Sequence, residues 1–194
     1  MNQEKIWDKL AEQWFHFRQQ KNIDVYNFFN NCKKGAILEI GCGNCRNLLP
    51  FAKANFKCYG IDFSQKMIEF SKLFAKKHNL KINLKKANMI KLPFKANSFN
   101  YCLSIASLHH LEKKDHEKAL KELYRVLKPK GKCLISVWKK TSNLKTTWTI
   151  KDKTYKRYHY FFKEKELENL IKKSKFKILE KYSNRNIVFI IEKL

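Results

Sequence analysis

Two acidic residues and two glycines in the first third of the chain have the types and spacing of a nucleoside-binding site. Glu39 lies two residues before Gly41 and four before Gly43, and Asp62 lies at the end of the next apolar run. Glycines permit a sharp turn and let a ligand approach the backbone, which a Cβ would block. A carboxylate at position 39 would repel phosphate and attract a cationic amino group, while Asp62 could accept hydrogen bonds from two ribose hydroxyls. The pattern therefore predicts a site for a nucleoside that carries no phosphate.

The same turn departs from a dinucleotide fingerprint, because Cys45 or Arg46 stands where a third glycine would pack the helix and bind pyrophosphate. Cys42 and Cys45 form a C-x-x-C, which could be a redox pair or half of a zinc site. No second pair and no histidine at zinc spacing completes it, so the sequence predicts no metal site. We expect reduced core thiols at all six cysteines, which are Cys32, Cys42, Cys45, Cys58, Cys102 and Cys133.

The elements that must position these residues alternate between short apolar runs and amphipathic stretches. Strands are predicted at 35–41, 58–63, 82–87, 99–106 and 131–138, and helices at 44–54, after the N-cap Ser64, and at 114–127. Such alternation implies parallel strands joined by right-handed crossovers, in a doubly wound α/β sheet covered on both faces. Ligands of such sheets lie beyond the carboxyl ends of the strands, where Gly41 and Gly43 fall.

The flanks of this core differ from it. Aromatic residues at helical spacing predict N-terminal helices within 1–31, and a helix at 163–173 precedes strand-like runs at 176–182 and 186–192 that form an antiparallel hairpin. Residues 139–160 show no clear periodicity and are interpreted as an insertion over the sheet edge or the ligand face. We predict a single domain over 1–194, with helices at 1–31, a cofactor-binding core at 35–138, and a substrate-side insertion and hairpin at 139–194.

Basic residues dominate the charge of the chain. Lys and Arg number 42 against 17 Asp and Glu, a formal net charge of +25. Such a field attracts polyanions, so RNA is a natural partner. Biased codon usage could also produce a chain so rich in Lys, Asn, Ile and Phe, and the lysine-rich faces of the late helices could equally be solvated surface. Arginine makes bidentate contacts that lysine cannot copy, and the chain has Arg18, Arg46, Arg125, Arg157 and Arg185. With no signal peptide or membrane span, a cytoplasmic protein without membrane association is expected.

These features resemble the class I S-adenosylmethionine-dependent methyltransferase family, with its Rossmann-like fold, over residues 35–138. The family's E-x-G-x-G matches Glu39 to Gly43, and its helix and turn before the fifth strand match L-Y-R-V-L-K-P-K-G at 123–131. Asn88 replaces the usual Asp, but its carbonyl can still accept from an adenine amino group. The resemblance implies S-adenosyl-L-methionine as the cofactor, bound by Glu39, Gly41, Cys42, Gly43, Asp62, Phe63, Asn88, Met89 and Ala106.

Outside that core, the chain is similar to the tRNA wobble-uridine carboxymethyl methyltransferases, which esterify a carboxymethyl group on the anticodon uridine. The matching pieces are Phe17-Arg18, S-I-A-x-x-H-H at 104–110, Arg157-Tyr158-His159, and Asn186. The resemblance implies tRNA as the substrate and a small zinc-binding activator subunit that adds a strand at the sheet edge. Its candidate catalytic residues are Arg18, His109, Arg157, Tyr158, His159 and Asn186.

Within that assignment, Arg18 or Arg157 would hold the carboxylate or a neighbouring phosphate, and Tyr158 and His159 would contact the flipped base. His109 is as consistent with a buried, hydrogen-bonded histidine as with a substrate contact, and the direction of His110 is left open. Arg125 is interpreted as a structural helix residue, and Arg46 could simply cap its helix.

A small-molecule or quinone-type methyltransferase is the alternative, because it shares the cofactor core and commonly has L-H-H at the same strand end. A quinone enzyme should present an exposed apolar face, whereas the helices outside this core are dense in lysine. A non-catalytic RNA-binding subunit is a third possibility, disfavoured because Glu39, Gly41, Gly43 and Asp62 are all intact. The sequence does not specify which tRNA would be modified.

Overall fold

A computed structural model describes residues 2–140 and 146–194, which form an α/β structure around one large sheet. The helices are α1 (Gln3–Phe17), α2 (Ile23–Asn30), α3 (Leu49–Lys53), α4 (Gln65–Lys77), α5 (His116–Val126) and α6 (Glu164–Lys173). The strands are β1 (Ala36–Ile40), β2 (Lys57–Asp62), β3 (Ile82–Lys86), β4 (Phe99–Ile105), β5 (Leu127–Trp138), β6 (Thr147–Ile150), β7 (Lys153–Lys156), β8 (Phe176–Ser183) and β9 (Asn186–Lys193).

The large sheet has seven strands in the order β3-β2-β1-β4-β5-β9-β8. The first five pair in parallel, and β9 runs antiparallel between β5 and β8. The predicted doubly wound fold with a C-terminal antiparallel hairpin is confirmed. The strand order reverses between β1 and β4, so their carboxyl ends open the crevice in which ligands of such sheets bind.

Alternate residues of the strands feed two separate cores, one on each face of the sheet. Leu38 and Ile40 of β1 belong to the core that contains Leu120 of α5 and Ile171 of α6. Ile37 belongs to the other core, with residues of α2, α3 and α4. Successive strand side chains point to opposite faces. Each fully buried aliphatic side chain contributes about 2 kcal/mol of hydrophobic stabilisation, which fixes the strand ends that carry the site.

Helix α4 begins at a cap that also holds α1 in place. The Ser64 hydroxyl accepts a hydrogen bond from the Met67 amide at 3.1 Å, which confirms the predicted N-cap. The same hydroxyl donates to Asp8 Oδ1 of α1 at 2.6 Å, and Asp8 also accepts from the Lys66 amide at 3.1 Å. Helix α1 is therefore tied to the turn that directly follows Asp62.

The segment predicted to be an irregular insertion contains a small hairpin, in which β6 pairs antiparallel with β7. Trp148 of β6 packs against Trp14 and Phe17 of α1, with ring centroids 5.7 and 5.2 Å apart, and its indole N–H donates to Gln13 Oε1. The hairpin thus covers α1 on the ligand side of the sheet. Positions 141–145 of this predicted insertion, and Met1 of the predicted N-terminal helices, lie outside the described residues. Within the described ranges, every helix falls short of the combined length and hydropathy that a bilayer span requires.

Candidate functional site

A cavity of about 580 Å³ lies at the carboxyl ends of β1, β2 and β4, where the strand order reverses. It collects the turn after β1, the end of β2, the segment after β3 and the end of β4. Eight of the nine residues predicted to bind the cofactor line it, namely Gly41, Cys42, Gly43, Asp62, Phe63, Asn88, Met89 and Ala106. The ninth, Glu39, is buried behind the cavity wall.

The turn after β1 needs its glycines for two different reasons. Gly41 has a φ of +71°, and a Cβ there would lie 2.5 Å from the Cβ of Ser107 at the end of β4. Gly43 has a φ of +54°, and a Cβ there would lie 3.6 Å from Trp14 Nε1, which is an ordinary van der Waals contact. Cys45, at the place of the absent third glycine, also adopts a left-handed φ of 54°, which costs a side-chain-bearing residue about 1 kcal/mol. Cys45 therefore adopts the backbone conformation that a third glycine would have at this position.

The C-x-x-C pair packs into the core behind this turn. Cys45 Sγ donates to the carbonyl oxygen of Ser71 at 3.4 Å, and Cys42 Sγ lies 3.7 Å from the Ser71 hydroxyl. Burial raises the pKa of both thiols well above the usual value, so they remain protonated and unreactive. All six cysteines are free thiols and all but Cys32 are buried, in agreement with the expected core role.

Glu39 acts on the cavity through Asn47. The Asn47 amide donates to Glu39 Oε1 at 2.6 Å, and Asn47 lines the cavity whereas Glu39 is only 1% exposed. Glu39 Oε2 is buried and accepts no hydrogen bond from the described residues. Burial raises the pKa of Glu39 to about 8, because the charged carboxylate loses its hydration. A cationic group placed beside Asn47 would favour the ionised form.

Asp62 is held by backbone amides on both oxygens. Oδ2 accepts from the Gly43 amide and Oδ1 from the Ser64 amide, each at 3.0 Å. Burial raises its pKa to about 6, and these amide bonds oppose that shift. Each carboxylate oxygen offers two acceptor positions, so Asp62 retains capacity for two hydroxyl donors from the cavity.

Phe63 and Met89 contribute apolar walls beside Asp62, and Asn88 contributes an amide. The Asn88 carbonyl oxygen already accepts from the Ile90 amide at 3.1 Å. A carbonyl has a second lone pair, so the predicted contact with an adenine amino group remains sterically and chemically available.

His109, His110 and His159 lie against one another, with ring centroids 4.5 to 5.3 Å apart, and of these three only His110 lines this cavity. His109 is 1% exposed and its Nδ1 accepts from the Trp138 amide at 3.2 Å, which is the structural role left open by the sequence. His159 stacks on the Trp138 ring with centroids 4.9 Å apart and lies behind it. Burial lowers the pKa of His110 to about 3 and that of His159 to about 4, so both rings are neutral at physiological pH.

A second cavity of about 1020 Å³ adjoins the first. The two share the wall residues Trp14, Arg18, Asn22, Arg46, Trp138 and Asn186. The Arg18 guanidinium lies 5.0 Å from the centroids of both the Trp14 and the Phe17 rings. Of the predicted catalytic residues, Arg18 and Asn186 therefore border both cavities, and Tyr158 borders the first.

Arg157 borders the second cavity alone and is 3% exposed. Its guanidinium carbon lies between 5.4 and 5.7 Å from a ring centroid of each of the chain's four tryptophans, which are Trp7, Trp14, Trp138 and Trp148. Burial and the nearby Arg18 lower its pKa to about 10, so it keeps its charge at neutral pH. Arg157 was predicted to contact the substrate directly. For that contact, the substrate would have to reach the guanidinium from the edge of this tryptophan cluster.

Sequence reasoning missed the contribution of α1 and of Arg46 to these cavities. Trp7 and Trp14 both line the first cavity, although their spacing indicated only a buried helix face. Arg46, interpreted as a helix cap, lines both cavities, and its guanidinium donates to the Gln20 carbonyl. The structural role of Arg125 is confirmed by its hydrogen bonds to Glu122 and to the carbonyl of Phe94.

A family model described as a methyltransferase domain matches residues 38–135, which is half of the chain and includes the glycine turn, Asp62 and the end of β4. The chain belongs to the class I S-adenosylmethionine-dependent methyltransferase family. S-Adenosylmethionine is accordingly the cofactor of this methyltransferase.

Several curated relatives share this core. A tRNA (carboxymethyluridine(34)-5-O)-methyltransferase of Arabidopsis thaliana is 32% identical over 75% of this chain and 35% of its own length. One of Schizosaccharomyces pombe is 25% identical over 96% of this chain and 93% of its own. A demethylmenaquinone methyltransferase of Geobacillus is 33% identical over 53% of this chain and 45% of its own.

Among solved structures, the 1,6-didemethyltoxoflavin-N1-methyltransferase of Burkholderia thailandensis has the same fold. It superposes with a TM-score of 0.75 at 16% identity, covering 97% of this chain and 88% of that one. That structure contains bound S-adenosylhomocysteine together with 1,6-didemethyltoxoflavin.

The residues that line the first cavity are suited to bind S-adenosylmethionine. Gly41 and Gly43 line the cavity without side chains, Asp62 offers paired acceptors, and the buried, unpartnered Oε2 of Glu39 can take up negative charge behind Asn47 when a cationic group lies there. Among the described residues that line this cavity, the cations are Arg18 and Arg46, and both stand in the wall shared with the adjoining cavity. These features agree with the sequence prediction that the glycines and acids serve a phosphate-free nucleoside.

Proposed function

We propose that this methyltransferase converts the carboxymethyl group of a modified wobble uridine in tRNA to its methyl ester. The observation that carries the proposal is the position of Arg18, a cation in the wall between the cofactor cavity and the adjoining cavity. The salt bridges of the described residues do not include Arg18, and no carboxylate is among the groups that shift its pKa, so its guanidinium remains available to an anionic acceptor.

On the cofactor side, Asp62 would bind the ribose hydroxyls, Asn88 and Met89 the adenine, and Asn47 with Glu39 the amino group. Phe63 would pack against the adenine, and Gly41, Cys42, Gly43 and Ala106 would form the backbone floor. When bound, S-adenosylmethionine supplies a sulfonium methyl group that a nucleophile can take up.

On the acceptor side, the main task of the protein is to position the substrate carboxylate. A carboxylate is anionic at neutral pH, so no general base is needed to remove a proton. Arg18 would orient that carboxylate from one side, leaving the attacking oxygen free of a second strong hydrogen bond. Tyr158, Asn186 and His110 border the same space and would hold the uridine ring, while water is excluded by Trp7 and Trp14.

The buried residues of the same region would act indirectly. His109 and His159 support Trp138, whose ring forms part of the shared wall, and Arg157 adds positive potential from within the tryptophan cluster. These are positioning and electrostatic roles, distinct from contact with the reacting atoms.

A quinone acceptor fits this environment less well. A neutral ring with an apolar tail gains nothing from Arg18 and Arg46, and would have to desolvate both guanidinium groups on entering the shared wall. An anionic acceptor is stabilised by the same residues.

The test is methyl transfer from labelled S-adenosylmethionine to bulk tRNA lacking this modification, followed by mild alkali. We expect base-labile label in tRNA, and strong loss of it in Arg18→Gln with cofactor affinity unchanged. Lys72→Gln, on an exposed face of α4, removes the same charge as a control.

The reaction is repeated with a small zinc-binding activator subunit, which we propose as a partner that adds a strand at an edge of the sheet. Base-stable label, or label only in a quinone substrate, would overturn the proposal.

A further inference from the structure

The second cavity gathers most of the arginines that the chain possesses. Only five arginines occur among 42 basic residues, and Arg18, Arg46, Arg157 and Arg185 all line this cavity. The fifth, Arg125, is paired with Glu122 elsewhere. Random placement of a rare residue type would scatter it over the surface. Arg157 is enclosed by tryptophans, so the convergence of the other three, Arg18, Arg46 and Arg185, on one concave site indicates a ligand that guanidinium groups recognise.

The described lining of this site contains many more basic than acidic side chains. Lys21 and Lys139 add two more cations to the lining, and Asp24 alone among the described lining residues carries a carboxyl. That carboxylate accepts a hydrogen bond from the Tyr182 hydroxyl at 2.9 Å. Burial lowers the pKa values of Arg18 and Arg157, and repulsion lowers them further, from Arg46 on Arg18 and from Arg18 on Arg157. Anionic groups bound between them would relieve this repulsion.

Aromatic rings stand between the cations. Trp14, Phe17 and Trp148 line the cavity, and Phe17 is 58% exposed although it is a large apolar side chain. Arg18 stacks over both Trp14 and Phe17. Proteins that bind single-stranded nucleic acid combine a basic groove for the backbone with aromatic side chains on which bases stack. An acidic protein segment would use the arginines but would leave these rings without a flat partner.

We infer that the second cavity binds the phosphodiester backbone of single-stranded RNA, next to the nucleotide whose base enters the cofactor cavity. The identity of that nucleotide rests on the proposed function, whereas the binding of RNA at this cavity does not. Arg185 and Lys139 lie at its outer wall and border only this cavity. The strand would pass from them, over Phe17 and Trp148, to Arg18 and Arg46 in the shared wall.

The test compares two double variants with the same loss of charge. Arg185→Gln with Lys139→Gln removes the outer cations of the cavity, and Lys72→Gln with Lys76→Gln removes two exposed cations of α4 that line neither cavity. The probe is a short fluorescent single-stranded RNA of mixed sequence, and its dissociation constant is measured by anisotropy at salt concentrations from about 50 to about 200 mM. Poly-glutamate serves as a competitor that represents acidic protein.

We expect the cavity variant to bind this RNA about tenfold more weakly and to lose about 1.4 units of the salt-dependence slope, with the α4 variant close to wild type. Equal weakening in both variants, or RNA binding that is unchanged while poly-glutamate binding falls, would overturn the inference. The proposed function fails separately. If no ester forms on tRNA but the RNA affinity falls with the cavity charges, only the substrate assignment is wrong. If the cavity variant binds RNA and forms the ester as wild type does, only the inference that this cavity binds RNA is wrong.

Discussion

The imidazole of His110 donates a hydrogen bond from Nδ1 to the carbonyl oxygen of Tyr158 across 2.8 Å, and this bond decides which nitrogen faces the cofactor cavity. A carbonyl oxygen can only accept, so the proton of the neutral ring resides on Nδ1. Nε2 then carries a lone pair. Because burial lowers the pKa of His110 to about 3, the ring presents an acceptor and no charge at physiological pH.

Replacing His110 by phenylalanine should keep the ring volume and remove the acceptor. We expect methyl transfer to fall about tenfold at saturating cofactor, with cofactor affinity unchanged. The reason is that a buried hydrogen-bond donor of the methylated substrate would lose its partner, Nε2 of His110. The dependence on pH is the sharper readout. In wild type, His110 should contribute no inflection between about pH 5 and pH 8. If the rate of methyl transfer in wild type shows an inflection near neutral pH that the variant lacks, the His110 ring changes its protonation state during the reaction, and the expectation is wrong.

Glu39→Gln should separate stability from cofactor binding. The folded-state pKa of Glu39 is raised to about 8 from its ordinary 4.5, so the stability associated with its protonated form is lost as pH rises through this window. The neutral amide avoids that loss. We expect the ligand-free variant to melt at a higher temperature than wild type at about pH 8.5, and at a similar temperature at about pH 5. Its affinity for S-adenosylmethionine should fall, as measured by calorimetry. A melting temperature that is lower at both pH values would contradict the assigned protonation.

Gly41→Ala and Gly43→Ala form a matched pair, because both residues have left-handed φ values but only position 41 is crowded. Alanine at 43 should cost about 1 kcal/mol of backbone strain. Alanine at 41 adds the 2.5 Å approach to Ser107 Cβ and should cost more and prevent cofactor binding. Adding Ser107→Gly to Gly41→Ala should return the free energy of unfolding to the level of Gly43→Ala. Equal effects of the two single variants would show that the contact with Ser107 is unimportant.

Arg157→Lys should disturb the tryptophan cluster while keeping the charge. Lysine lacks the planar guanidinium that lies against four indole rings, and cation–π contacts of this kind contribute about 0.5–2 kcal/mol each. We expect a destabilisation of about 2 kcal/mol in chemical unfolding and a shift of native tryptophan emission to longer wavelength. Arg185→Lys, at an exposed arginine, is the control. Unchanged emission and stability in Arg157→Lys would mean that charge alone matters at this position.

The cofactor half of the site was readable from the sequence because its determinants are local. Gly41, Asp62 and the cap at Ser64 each follow directly from the strand that they end, so residue type and spacing were sufficient. The acceptor half was less accessible, because its geometry depends on contacts between distant segments. The direction of His110 is set by Tyr158, 48 residues later, and no local pattern encodes such a bond.

The small β6–β7 hairpin shows a different limit. Its strands alternate aromatic or aliphatic residues with polar ones, as Trp148, Ile150 and Tyr155 do, which is a weak strand signal. The turn between them lacks the glycine or asparagine that marks a two-residue hairpin, and Lys151 adopts the left-handed conformation instead. The burial of Arg157 was hidden for a related reason, since its four tryptophan neighbours come from three separated parts of the chain.

The cofactor cavity draws its two sides from different stretches of the chain. Asp62 and the glycine turn belong to the α/β core, whereas Trp14 and Arg18 come from the N-terminal helix and Asn186 from the last strand. Under the proposed function, substitutions in these flanks would alter what is methylated, whereas substitutions in the core would alter binding of the methyl donor. For the evolution of such enzymes, this division implies that a lineage could acquire a new acceptor through changes in the flanks while the core continues to bind the cofactor.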